Sequence, residues 1–74
     1  MLLVEAKINT NLIVKNIYAE EKEKLRLTEL GLISGTNIVV KHKSVMKKNL
    51  LIHFENSCFV LGCDLAKKIE VNYA

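Results

Sequence analysis

Arg26-Leu27-Thr28-Glu29-Leu30-Gly31-Leu32-Ile33-Ser34-Gly35-Thr36 decides the fold, because it spells out the end of a helix followed at once by a tight turn. With Gly31 as the first residue past the helix, Leu30 is its C-cap, Leu27 is at C3 and Leu32 at C″. At this spacing a Schellman ending joins two apolar side chains, while glycine takes the left-handed backbone that other residues adopt only at a cost. Ser34-Gly35 then supplies the central pair of a type II turn, which needs a positive φ at its third position. The β-branched run Ile38-Val39-Val40 reads as the strand that follows.

Upstream, Glu20-Glu21-Lys22-Glu23-Lys24 is made of good helix formers, with its acidic residues where the positive end of a helix favours them. Reading Leu25-Arg26-Leu27 as an alternating strand would place Glu29 on the face of the two leucines. The helical reading sets Glu23, Leu27 and Leu30 on one side and Arg26 with Glu29 on another. Residues 12–18 are rich in β-branched side chains and predict the first full strand, preceded by a turn at Asn9-Thr10-Asn11. Residues 2–8 predict a short strand or an extended lead-in that covers the core.

Downstream, residues 37–45, 49–54 and 58–61 predict three strands of an antiparallel meander, joined by the short loops Met46-Lys47-Lys48 and Glu55-Asn56-Ser57. In the middle strand Leu50, Ile52 and Phe54 share the inner face. Asp64 is placed to cap a single turn through Leu65-Ala66-Lys67, and residues 69–73 alternate as a closing strand. The expected fold is mainly β, a small SH3-like barrel of about five antiparallel strands with one inserted α-helix. It forms a single domain over residues 1–74, and closure removes most free sheet edges. The expected core is Leu27, Leu30, Leu32, Ile38, Val40, Ile52, Phe54, Val60 and Ile69.

Half of the 74 residues are hydrophobic and no tract is of low complexity, which favours a folded domain over disorder. The first residues carry no basic leader and no apolar run long enough to cross a bilayer, so a cytoplasmic setting without direct membrane insertion is expected. In that compartment Cys58 and Cys63 stay reduced, and a C-x4-C pair alone is not a metal motif. The net charge of +3 is unevenly spread. Residues 1–37 balance to zero, and Lys41, Lys43, Lys47 and Lys48 crowd one predicted hairpin, a basic lobe suited to an acidic partner.

Arg-Leu-x-x-Leu-Gly-Leu-x-x-Gly, here Arg26 to Gly35, together with a β-rich tail ending in Ala66-x-x-Ile69-x-Val71, resembles the ferrous iron transport protein A family. The resemblance covers nearly the whole chain. Ser34-Gly35 stands where the family often has Pro-Gly, and Asn9-Thr10-Asn11 replaces an expected glycine. Asparagine tolerates left-handed backbone, so both changes are permissive. The resemblance implies a non-enzymatic cytoplasmic adaptor in ferrous iron uptake, with no cofactor. Its implied partner is the ferrous iron transport protein B permease, which carries a GTP-binding domain. It also implies an alternative, since similar SH3-like domains occur in iron- or manganese-dependent repressors: a metal-sensing or transcription-linked module.

No nucleophile with a base, no tuned carboxylate pair and no spaced ligand set is legible. His42, His53, Cys58 and Cys63 supply donors soft enough for a transition metal but lack recognisable spacing, so no metal residues are assigned. A nucleic-acid-binding barrel is a further reading, disfavoured because the lysines are not interleaved with stacking aromatics. The expected docking surface combines Arg26, Glu29, Ile33 and Ser34 with Lys41, Lys43, Met46, Lys47 and Lys48. Weak self-association is left open.

Overall fold

The computed structural model describes residues 1–44 and 48–74; the predicted hairpin tip at Val45, Met46 and Lys47 lies outside the described residues. Five strands, β1 (Asn11–Ile17), β2 (Asn37–Lys43), β3 (Asn49–Phe54), β4 (Ser57–Gly62) and β5 (Ile69–Tyr73), form one antiparallel sheet in the order β4-β3-β2-β1-β5. The helix α1 (Glu21–Leu30) is inserted between β1 and β2, and a single helical turn, α2 (Cys63–Ala66), precedes β5. This is the expected small SH3-like arrangement.

The predicted helix ending forms as read. Gly31 sits at φ 93°, its N–H donates to the Thr28 carbonyl at 3.0 Å, and the Leu32 N–H reaches the Leu27 carbonyl at 2.8 Å. That pair of bonds defines the Schellman motif, and the two apolar residues it brings together, Leu27 and Leu32, are both buried. The next turn also follows the sequence: Gly35 is at φ 95° and the Thr36 N–H closes onto the Ile33 carbonyl at 3.1 Å.

The core gathers both sheet and termini: Leu12 and Val14 of β1, Ile38 and Val40 of β2, Leu50, Ile52 and Phe54 of β3, and Ile69 and Val71 of β5 are buried, with Leu61, Ala66, Leu3 and Ala6. Two expected core residues are not among them. Leu30 is 53% exposed and Val60 is 62% exposed, while the neighbour Leu61 is 4% exposed and takes the inward place. For Val60 the cause is the hairpin between β3 and β4. Its loop is two residues, Glu55-Asn56, both in left-handed backbone at φ 50° and 64°, so that Phe54 pairs with Ser57 rather than with Cys58. A one-residue difference in register turns every side chain of the strand to the opposite face.

Two further expectations change in detail. Residues 3–5 form one 3₁₀ turn rather than a strand, although the segment does cover the sheet: Leu2 bridges to Glu70, and the Val71 N–H donates to the Met1 carbonyl at 2.8 Å. Asp64 does not cap α2. The cap position is Gly62 and no side-chain cap bond forms, so Asp64 lies inside the first turn and places its charge at the positive end of the helix. Asn9 takes the left-handed backbone expected of the turn before β1, at φ 58°.

Candidate functional site

The candidate docking residues fall into separate places. Arg26 and Glu29 stand on the exposed face of α1 and line a groove of about 560 Å³ between this helix and β4, together with Leu30, Val60 and Leu65. The groove exists because α1 commits only Leu27 to full burial. Leu30, one turn further on, is left facing a gap whose other wall is the outward-turned Val60. Across the base, Glu23 Oε1 and Lys68 Nζ pair at 3.2 Å and tie α1 to the segment before β5.

Ile33 and Ser34 belong to the turn after α1. Ile33 is 49% exposed, whereas Ser34 is engaged, its hydroxyl donating to the Lys15 carbonyl at 2.8 Å. The turn is pinned to β1 by two backbone bonds, Gly35 N–H to the Val14 carbonyl and Val14 N–H to the Thr36 carbonyl. Thr36 was missed by the sequence reading. Its hydroxyl donates to the Gly31 carbonyl at 3.1 Å and accepts from the Ile33 N–H at 3.2 Å, locking the two glycine turns together. A hydroxyl residue directly after the second glycine was the available signal.

The lysines are not equivalent. Lys41 and Lys48 are exposed, but the Lys43 Nζ donates to the Val4 carbonyl at 3.1 Å and holds the N-terminal segment. Met46 and Lys47 lie outside the described residues. The described lysines line neither the groove beside α1 nor the hollow at Ile33 and Ser34, apart from Lys15 and Lys24 near the latter.

The soft donors are likewise divided. His53 and Cys58 are register partners on β3 and β4, His42 is opposite Leu51, and Cys63 begins α2. Among the described residues no three His, Cys, Asp or Glu side chains gather to hold a metal ion. The exposed aromatics are also apart: Tyr73 pairs with Leu12 at one end of β1, while Tyr18 follows Ile17 at the other. At about 3.3 Å per residue that separates them by over 15 Å, too far for one stacking platform.

Tyr18 instead joins a polar cluster. Its hydroxyl donates to Glu70 Oε1 at 3.0 Å, and Asn16 Nδ2 donates to the same oxygen at 3.1 Å. These two donors, Asn16 first, hold the Glu70 carboxyl below its ordinary value, and the same bond to Glu70 raises the Tyr18 phenol. Because the folded Glu70 is the stronger acid, its contribution to stability is present above the unfolded carboxylate range and is lost as pH falls through the folded value. In a carboxyl-carbon resonance titration, Glu70 is expected to titrate below the ordinary glutamate range, and Tyr18→Phe to move its midpoint upward. A Glu70 midpoint indifferent to Tyr18→Phe would contradict the assigned donor.

Comparison with known proteins places these features in a family. The sequence model of the FeoA domain matches residues 1–73. The chain is 35% identical over 72 residues to a "Putative Fe(2+) transport protein A" of Campylobacter jejuni, an alignment spanning 97% of each protein. The FeoA of Stenotrophomonas maltophilia, solved in complex with zinc and described as a prokaryotic SH3 domain protein, is 26% identical with a TM-score of 0.81, over 97% of this chain and 89% of that one. A manganese-dependent transcriptional repressor superposes with a TM-score of 0.90 at 15% identity, over all of this chain and 41% of its own, a likeness of fold alone. The helix ending at Gly31, the pinned turn at Gly35 and the meander behind them are therefore those of a FeoA domain, and the chain belongs to the FeoA family.

Proposed function

We propose that this domain is a non-enzymatic regulator of ferrous iron uptake that docks on the cytoplasmic, GTPase-bearing part of the ferrous iron transport protein B permease. The observation that carries the reading is the end-to-end match to an Fe(2+) transport protein A. No helix of the described residues is long and apolar enough to cross a membrane. The domain acts by preferring one conformation of that partner, since a bound protein shifts an equilibrium only through its differential affinity for the two states. Arg26, Lys41 and Lys48 accelerate encounter, and exposed apolar side chains such as Ile33 hold the complex.

The test is an amide-resonance titration of the labelled domain with detergent-solubilised permease from the same source, with and without a GTP analogue. Selective broadening at residues 26–35 and 41–48 is expected, and its dependence on nucleotide reports which GTPase state is preferred. An unperturbed, well-dispersed spectrum at high permease concentration would overturn direct docking. The repressor-like reading rests on shared fold, which does not carry function. It predicts a metal-dependent oligomer, which sedimentation with and without manganese or ferrous iron would reveal.

A further inference from the structure

The chain treats the two ends of its sheet differently. The outer edge of β5 is taken up by the N-terminus: the Met1 amino group donates to the Val71 carbonyl at 3.2 Å, Val71 N–H donates back to Met1, and Leu2 bridges to Glu70. The outer edge of β4 has no such cover among the described residues. Phe54 and Ser57 flank a two-residue hairpin and so exchange backbone bonds. Alternation along an antiparallel pair then turns the N–H and C=O of Cys58 and Val60, and the N–H of Gly62, away from β3.

Edge strands are ordinarily blunted by charge, proline or a bulge. β4, Ser57-Cys58-Phe59-Val60-Leu61-Gly62, has no charged residue and no proline. It runs through six consecutive pairs with β3 without a register shift, whereas the β1–β5 and β2–β3 pairings both contain one. Beside this straight edge lies the groove of about 560 Å³ under α1, with Leu30 and Val60 exposed on its two walls.

We propose that β4 and this groove together receive an extended segment of another protein, added as a sixth strand with alternate apolar side chains directed toward Leu30. The bare backbone groups require a strand rather than a helix. The charges around the groove cancel, Glu23 against Lys68 and Arg26 against Glu29, so the segment they complement is uncharged. A second copy of this chain fits less well. The inward side chains of its own β4 are already committed, Leu61 to the core and Phe59 edge-on to Phe54 with ring centroids 5.2 Å apart, so Val60 is the one large apolar side chain that strand could offer the groove. Resting on the docking reading, the segment belongs to the permease.

The test is hydrogen exchange of the labelled domain with solubilised permease, together with Val60→Pro and Leu30→Glu. Proline at 60 removes only an outward-facing N–H, because the native Leu51–Val60 pair does not exchange backbone bonds. Protection of the Cys58, Val60 and Gly62 amides in the complex is expected. So is a loss of about tenfold or more in affinity for each variant, from one interface bond left unmade in Val60→Pro and from a charge set among apolar side chains in Leu30→Glu. If Val60→Pro does not fold, Leu30→Glu and the exchange pattern decide. Permease binding with those amides unprotected and Leu30→Glu unaffected overturns strand addition and leaves docking standing. If the permease does not bind, the docking reading falls. The edge is then probed with a displayed library of 12-residue peptides, where selection of alternating apolar sequences that protect the three amides supports the inference and their absence overturns it.

Discussion

Leu27→Ala is expected to cost about 2–5 kcal/mol of stability, the range for truncating a large buried aliphatic side chain with incomplete collapse of the site. Leu27 is 2% exposed and is the one residue that α1 buries fully. It also supplies the carbonyl that receives the Leu32 N–H, so its side chain sits where the helix is fastened to the sheet. A domain of this length has a total stability of only about 4–11 kcal/mol, so the loss is a large share of it. Leu30→Ala, three residues away, is expected to change stability by less than about 1 kcal/mol, as for other exposed positions. Urea unfolding of the two variants checks the pair. Equal losses would mean that Leu30 is buried after all and that the groove beside β4 is closed in solution.

Gly31→Val is expected to cost about 2–3 kcal/mol, since a β-branched residue is poorly tolerated in left-handed backbone and the surrounding bonds hold that conformation in place. A Cβ at this position is also in van der Waals contact with the Phe54 ring at 3.4 Å, so a valine has less room there than at an open position. Gly35 has the same kind of backbone, at φ 95°, but open space beyond it. Gly35→Val should therefore cost less than Gly31→Val, the difference measuring the contact with Phe54. Gly62, at φ −66° with nothing near its missing Cβ, should accept alanine without loss. Thermal midpoints give the order directly, and a Gly31→Val midpoint equal to that of Gly62→Ala would contradict the helix ending described here.

Where local chemistry determines geometry, the sequence was legible. Leu27, Gly31 and Leu32 specify a helix ending by spacing alone, and Gly35 specifies the turn. The strands over residues 49–54 and 69–73 were bounded by turn residues and fell where predicted. Register was less legible, because it depends on a hairpin whose loop carries no glycine. Glu55 and Asn56 both accept positive φ without the usual Asn-Gly signal, and a loop counted one residue too long turned Val60 inward and Leu61 outward. The exposure of Leu30 was hidden for a different reason. Helical periodicity shows which residues share a face, not how closely that face approaches the sheet. Of the candidate site, Arg26 and Glu29 came together in one groove, while Val60 and Leu65 joined them from parts of the chain that only the true register brings near.

The N-terminal strap also bears on how the chain acquires its fold during synthesis. β1 finds one of its two neighbours in β5, and residues 1–2 find theirs at Glu70 and Val71, so these contacts span nearly the whole sequence. The meander of β2, β3 and β4 can zip from its own hairpins as it leaves the ribosome, but β1 stays half-paired until residues 69–73 are available. Such distant pairings slow folding because the loop must close before the contacts repay it. The growing chain thus carries an unfinished sheet until its last strand is made, and the step that completes the domain is the one that joins the two ends of this sequence.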